Sequence, residues 1–248
     1  VWNTSSTWTG SNKPSNPLAA GDTIIIAHNV DLDIDAEIIG VMIVQSGDSI
    51  TTSASKKLKI GKGSTNSGKL INYGYIAVNK IECKPDNGCS ASQTGLPNTF
   101  NYGTMVLTDL HVGNNCGRGA LFNMSGGKIT VSDELHLDNF LSNKDTIIVS
   151  TKFKNHGGYV GDCGYIVTPL IDADPNTGRP ATFDCIDICE VNGGSDVPDF
   201  DIAGTVYYTL ASAYSGASSS DAVFDQDSTL LCGYDEGGNP VTLPISLL

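Results

Sequence analysis

The residues of this chain whose types and spacing could do chemistry are four histidines, seven cysteines and one Asp-rich stretch. His111 and His136 sit in matching contexts, Leu110-His111-Val112 and Leu135-His136-Leu137. On aligned neighbouring β strands the two imidazoles would point outward about 4.8 Å apart. Such a pair can bind a transition metal, respond to pH or contact a partner. It can equally be an outward ladder of like side chains. Asp172-Ala173-Asp174-Pro175-Asn176-Thr177-Gly178 places oxygen ligands at its first, third and fifth positions, Asp172, Asp174 and Asn176, as Ca2+ loops do. Its Gly comes one place late and no Glu closes the loop, so a plain turn competes with a calcium site. Cys83 and Cys89 enclose Lys84-Pro85-Asp86-Asn87-Gly88, a turn that a local disulfide would close.

No constellation for catalysis stands out. A lyase acting beside a uronate carboxylate needs a base and cations to hold the acid. The chain offers only two arginines, Arg118 and Arg179, one between glycines and the other beside Pro. Glycoside hydrolysis needs paired carboxylic acids, and no adjacent Asp-Asp occurs. None of His28, His111, His136 and His156 lies in a His-Glu-x-x-His zinc motif. The expectation is a non-enzymatic protein.

Composition narrows the partners. The 248 residues carry a net charge of −13 with 17 % charged side chains. Nucleic acid and anionic membrane surfaces both need clustered Lys and Arg, so neither is an expected partner. No apolar run is long enough to span a bilayer, which excludes insertion by a helix. Seven cysteines without a Cys-x-x-Cys motif favour an oxidising, extracellular or cell-surface location. Seven is odd, so at least one thiol is unpaired or pairs between chains. The chain opens at Val1 with no signal peptide, which reads as a processed or trimmed form.

The elements that must position these residues are β strands. One phrase recurs, an Asn between apolar residues, then a Gly, then alternating apolar residues. It appears as Leu70-Ile71-Asn72-Tyr73-Gly74-Tyr75-Ile76, Phe100-Asn101-Tyr102-Gly103-Thr104-Met105 and Phe122-Asn123-Met124-Ser125-Gly126-Gly127-Lys128-Ile129, with a degenerate copy around Asn143. Repeats of this length are supersecondary units that bury their apolar faces only by stacking, and period-two alternation makes each a strand unit. Aligning the copies predicts inward rows of Ile76, Met105 and Ile129, of Val78, Leu107 and Val131, and of Ile81, Leu110 and Leu135. The Asn belongs at a corner, its amide bonded to the next coil. Asp31, Asp33 and Asp35 alternate with Val30, Leu32 and Ile34 and form an outer acidic row, solvated or bridged by a cation.

The expected fold is all-β, a right-handed parallel β-helix. An N-terminal cap at 1–20 carries Trp2 and Trp8, which would cover the open end or stack on a sugar. Coils run over 21–162. At 163–248 come the last coils and a cysteine-stitched C-terminal β cap. Spacing does not decide partners for Cys116, Cys163 and Cys185.

Several pieces together resemble the secreted parallel β-helix proteins that Bacteroidetes export through the type IX secretion system. They are the Trp2…Trp8 opening, Gly21-Asp22-Thr23-Ile24-Ile25-Ile26, the Asn–Gly phrase, Ile186-Asp187-Ile188-Cys189 with the later Cys232, and the ending Leu243-Pro244-Ile245. The resemblance implies a disulfide between Cys189 and Cys232, a sorting domain removed from the end, and O-glycosylation at Asp-Ser/Thr-apolar triplets such as Asp145-Thr146-Ile147. The family holds adhesins, filament components and enzymes. The expected function is structural or adhesive at the bacterial surface, including self-association into filaments. The alternative is a module that binds or cleaves a surface polysaccharide.

Overall fold

The computed structural model describes residues 1–9, 12–61, 67–85, 96–114, 118–162 and 164–172, and beyond these only the backbone of strands at 182–183, 187–190, 200–202, 205–207, 231–234 and 240–243. It is a parallel β-solenoid. Its coils present three faces, the first an 8-stranded sheet and the other two joined in one 13-stranded sheet.

The first face is β1 (Thr23–Ile26), β4 (Val41–Val44), β7 (Lys69–Asn72), β9 (Asn98–Asn101), β11 (Ala120–Asn123), β14 (Phe140–Asn143), β17 (Tyr159–Gly161) and β20 (Thr182–Phe183), in that spatial order. The second face stacks β2 (Val30–Asp31), β5 (Ser49–Thr51), β12 (Lys128–Val131), β15 (Thr146–Val149), β18 (Tyr165–Thr168) and β21 (Asp187–Glu190). The third stacks β3 (Ala36–Ile38), β6 (Lys57–Ile60), β13 (Glu134–Leu137), β16 (Lys152–Asn155) and β19 (Ile171–Asp172). Between them β8 (Tyr75–Cys83) and β10 (Thr104–Val112) run unbroken through the corner and belong to both. The parallel ladders continue past residue 162 through β18 to β21. Two antiparallel pairs follow, β22 (Phe200–Ile202) with β23 (Thr205–Tyr207) and β24 (Leu231–Tyr234) with β25 (Pro240–Leu243).

Alternation decides what lies inside. Every second residue of each coil strand points to the axis, giving columns of Ile50, Ile76, Met105, Ile129, Ile147 and Ile166 and of Leu58, Ile81, Leu110, Leu135, Phe153 and Ile171. All are buried, and the predicted inward rows are in register. Burying such a side chain contributes roughly 1.5–3 kcal/mol.

The inner column of the first face changes character along the axis. It begins with Ile26 and Val44 and continues as Asn72, Asn101, Asn123 and Asn143, every one fully buried. Each amide donates to the next, at 2.8 Å from Asn72 to Asn101, 2.9 Å to Asn123 and 2.8 Å to Asn143. Each Nδ2 also donates to a carbonyl one coil on, of Thr104, Lys128, Thr146 and Tyr165 in turn. The Asn–Gly phrase is thus a buried polar column at a corner. Its glycine answers to the same tight bend, since a Cβ on Gly103 would overlap the Gly74 carbonyl of the coil beneath.

At the N-terminal end Trp2 is 1 % exposed, stacks edge-on against Trp8 at 5.2 Å and donates its backbone N–H to Asp31 O. Leu18 bridges to Ile38. The carboxylates of Asp31, Asp33 and Asp35 separately accept the backbone N–H groups of Ser53, Asn3 and Lys57.

The Cys83–Cys89 pairing is corrected. Cys83 is a free thiol, fully buried on an inward position between Ile60 and Val112 in register, with its Sγ 3.3 Å from Ala120 O. Burial pushes its thiol pKa up to about 11. Cys89, Cys116, Cys163 and Cys185 lie outside the described residues. The backbones of β21 and β24, which carry Cys189 and Cys232, lie against each other. Among the described residues no helix is long and apolar enough to cross a membrane.

Candidate functional site

On the third face one outward column reads Glu37, Lys59, Glu82, His111, His136, Lys154 and Asp172 in register. Charge alternates on either side of two histidines. The predicted neighbours His111 and His136 are indeed stacked, with ring centroids 4.2 Å apart and planes 7° from parallel.

Stacking leaves the ring nitrogens of an imidazole unsatisfied, because its donors and acceptors lie in the ring plane. Lateral groups supply the partners. Asp138 sits at the corner after β13, is 3 % exposed, and donates its own backbone N–H to Val112 O in the coil of His111. Its carboxylate reaches both rings, Oδ2 to His111 Nε2 at 2.9 Å and Oδ1 to His136 Nε2 at 3.2 Å. The remaining nitrogens differ. Lys84 Nζ lies 3.2 Å from His111 Nδ1, whereas Glu134 Oε1 lies 3.5 Å from His136 Nδ1. An ammonium facing Nδ1 leaves the proton of His111 on Nε2, toward Asp138. His136 thus has a carboxylate at each ring nitrogen, Glu134 at Nδ1 and Asp138 at Nε2.

The corner is shaped for this. Gly113 has φ +86°, and a Cβ there would strike Asn139, whose Nδ2 donates to Gly119 O at 2.7 Å. His156 comes from the coil above and places its ring edge-on to His136 at 4.9 Å.

The electrostatics follow from this packing. Burial pushes the Asp138 carboxyl up, but hydrogen bonds and charge from His111 and His136 outweigh it and hold it well below the usual carboxylate range. Burial lowers His111, with the Asp138 hydrogen bond working against it. Burial also lowers Lys84, and burial with the nearby His136 lowers His156. Three metal-ligating atoms, one each from His111, His136 and Asp138, lie within 4.8 Å of one another.

The other predicted site residues fall elsewhere. Asp172 is a strand residue 3.8 Å from Lys152, while Asp174 and Asn176 lie outside the described residues. Trp2 is too deeply buried to offer a face to a partner, a correction to its role as a contact residue, and Trp8 packs half-buried on the same core. Sequence reasoning missed Asp138. Alternation gave no signal for it, because the strand ends at Leu137 and Asp138 lies at the corner that follows.

No protein-family model matches this chain, and neither any curated protein nor any solved structure matches it.

Proposed function

We propose that this protein is a non-enzymatic, extracellular structural or adhesive component of a bacterial surface that associates end to end through its solenoid. What supports this is the unequal treatment of the first coil. Toward the second and third faces the N-terminal segment makes contacts, with Trp2 bonded to Asp31 and Leu18 bridging Ile38. On the first face β1 pairs with β4 on one side, and among the described residues no strand lies on its other side. Its outward Ile25 is 51 % exposed. An open, apolar strand edge is a template for another chain. Type IX export and a Cys189–Cys232 disulfide holding the C-terminal strands complete the reading.

Electron microscopy and light scattering of the full chain test it. The expected result is concentration-dependent polymers with a fixed axial repeat, lost on Ile25→Lys, which puts a charge on the edge. A monodisperse monomer at every concentration overturns end-to-end association.

A second reading, binding of a surface glycan, is favoured by Tyr73 and Tyr102, exposed and stacked 4.9 Å apart on one corner beside the exposed Tyr75. Exposed aromatic rings of this kind can stack on sugars. Retention on a glycan array, lost in Tyr73→Ala/Tyr102→Ala, would select it.

A further inference from the structure

We propose that His111, His136 and Asp138 form a binding site for one divalent transition-metal ion of the zinc class on the third face of the solenoid. The donor set is the first argument. Two imidazole nitrogens and one carboxylate oxygen suit zinc, nickel or copper, whereas calcium and magnesium take shells of oxygen. Spacing is the second. Asp138 already lies 2.9 and 3.2 Å from the two Nε2 atoms. A tetrahedral ion with bonds of about 2.0–2.1 Å holds its ligands about 3.3 Å apart. The three ligand atoms lie within 4.8 Å of one another, so side-chain rotations that draw both Nε2 atoms toward one carboxylate oxygen close the site on an ion.

Ring orientation must change. Two parallel imidazoles cannot both hold one ion in their planes, so the rings turn about their Cβ–Cγ bonds until the planes converge. Their side chains are 15 % and 22 % exposed, so each ring borders solvent along part of its edge. The carboxylate that receives them is fixed by the Asp138 N–H to Val112 O bond of 2.8 Å. Three protein ligands leave a position of the tetrahedron open on the solvent side, for water or a ligand atom from another molecule.

Lys84 opposes the ion. With metal on Nε2, His111 carries its proton on Nδ1, and the ammonium now 3.2 Å away must leave. Glu82, the neighbour of His111 in the outward column and already a partner of Lys57 and Lys80, is the acid that can receive it. Removing Lys84 should therefore strengthen binding, an effect that a merely structural ion-pair network does not produce.

The test titrates the full chain with Zn2+ by calorimetry and with Co2+ by visible absorption, the latter separating nitrogen and oxygen ligation from thiolate ligation by the cysteines. Expected are one equivalent of Zn2+, a Co2+ spectrum without thiolate charge transfer, and no competition from excess Ca2+. Asp138→Asn should weaken binding by at least the roughly 10- to 100-fold that loss of an outer-shell partner costs, His111→Gln/His136→Gln should abolish it, and Lys84→Met should tighten it several-fold. Circular dichroism confirms that each variant is folded, and His28→Gln is the control. The proposal is overturned if zinc fails to bind, if binding survives in the double-histidine variant, or if Lys84→Met leaves the affinity unchanged.

Discussion

Two columns of like side chains run along this solenoid, and they solve opposite problems. The asparagines at 72, 101, 123 and 143 are buried and self-sufficient, because a carboxamide carries donor and acceptor at opposite edges and passes the bond from coil to coil. The histidines at 111 and 136 stack just as regularly, yet a stacked imidazole gives its neighbour no hydrogen bond. They must recruit Asp138, Lys84 and Glu134 from the side. The lesson is that the same register makes a scaffold from one residue type and a chemically competent cluster from another.

The comparison breaks most visibly at the buried column. Asn101→Leu strips partners from Asn72 and Asn123 inside the core, where an unsatisfied polar group costs about 1–3 kcal/mol. With two neighbours affected, urea unfolding should show a loss of about 3 kcal/mol. A loss below about 1 kcal/mol would mean that the amides contribute little.

A column without hydrogen bonds gives the intermediate case. Phe100 and Phe122 stack at 4.7 Å on the outside of the first face, and Phe140 follows with Tyr159 at 5.5 Å. Phe122→Ala should cost about 1–2 kcal/mol by the same measurement, since aromatic pairs add about 0.5–1.5 kcal/mol each.

At the histidine column the stability effect should be smallest. His111→Gln/His136→Gln keeps amide donors facing Asp138, and its unfolding free energy should stay within about 1 kcal/mol of the parent. A larger loss would make the histidines scaffold like the asparagines. Smaller still is the expected reactivity of Cys83. With its thiol pKa raised to about 11, only about one molecule in a thousand is thiolate near pH 8. Iodoacetamide followed by peptide mass analysis should find Cys83 unmodified in the folded chain and modified in urea.

Much of this was legible in the residues. The Asn–Gly phrase placed the corner, and alternation placed the inward rows, because both depend only on neighbours along the chain and on a repeat of the coil. The His111–His136 stack was legible for the same reason. Asp138 was not, because its reach to both rings depends on the bend at Gly113 and on a backbone bond to the preceding coil. Cys83 was misplaced because its turn-rich surroundings suggested a disulfide. Yet Ile81-Glu82-Cys83 has the same alternation as Leu110-His111-Val112, and that alternation puts Cys83 inside. The alternation of Asp31, Asp33 and Asp35 predicted one strand, but β2 ends at Asp31, and each carboxylate accepts a separate backbone N–H.

Hydrogen exchange of the native chain, with and without zinc, tests most directly the division between scaffold and site. The account predicts that the amides around Asn101–Thr104 and Asn123–Lys128 exchange slowly and at the same rate in both conditions. Those around Leu110–Gly113 and Leu135–Asn139 should slow further only when zinc is added. Equal exchange around the histidines with and without the metal, or fast exchange along the asparagine corner, would contradict it.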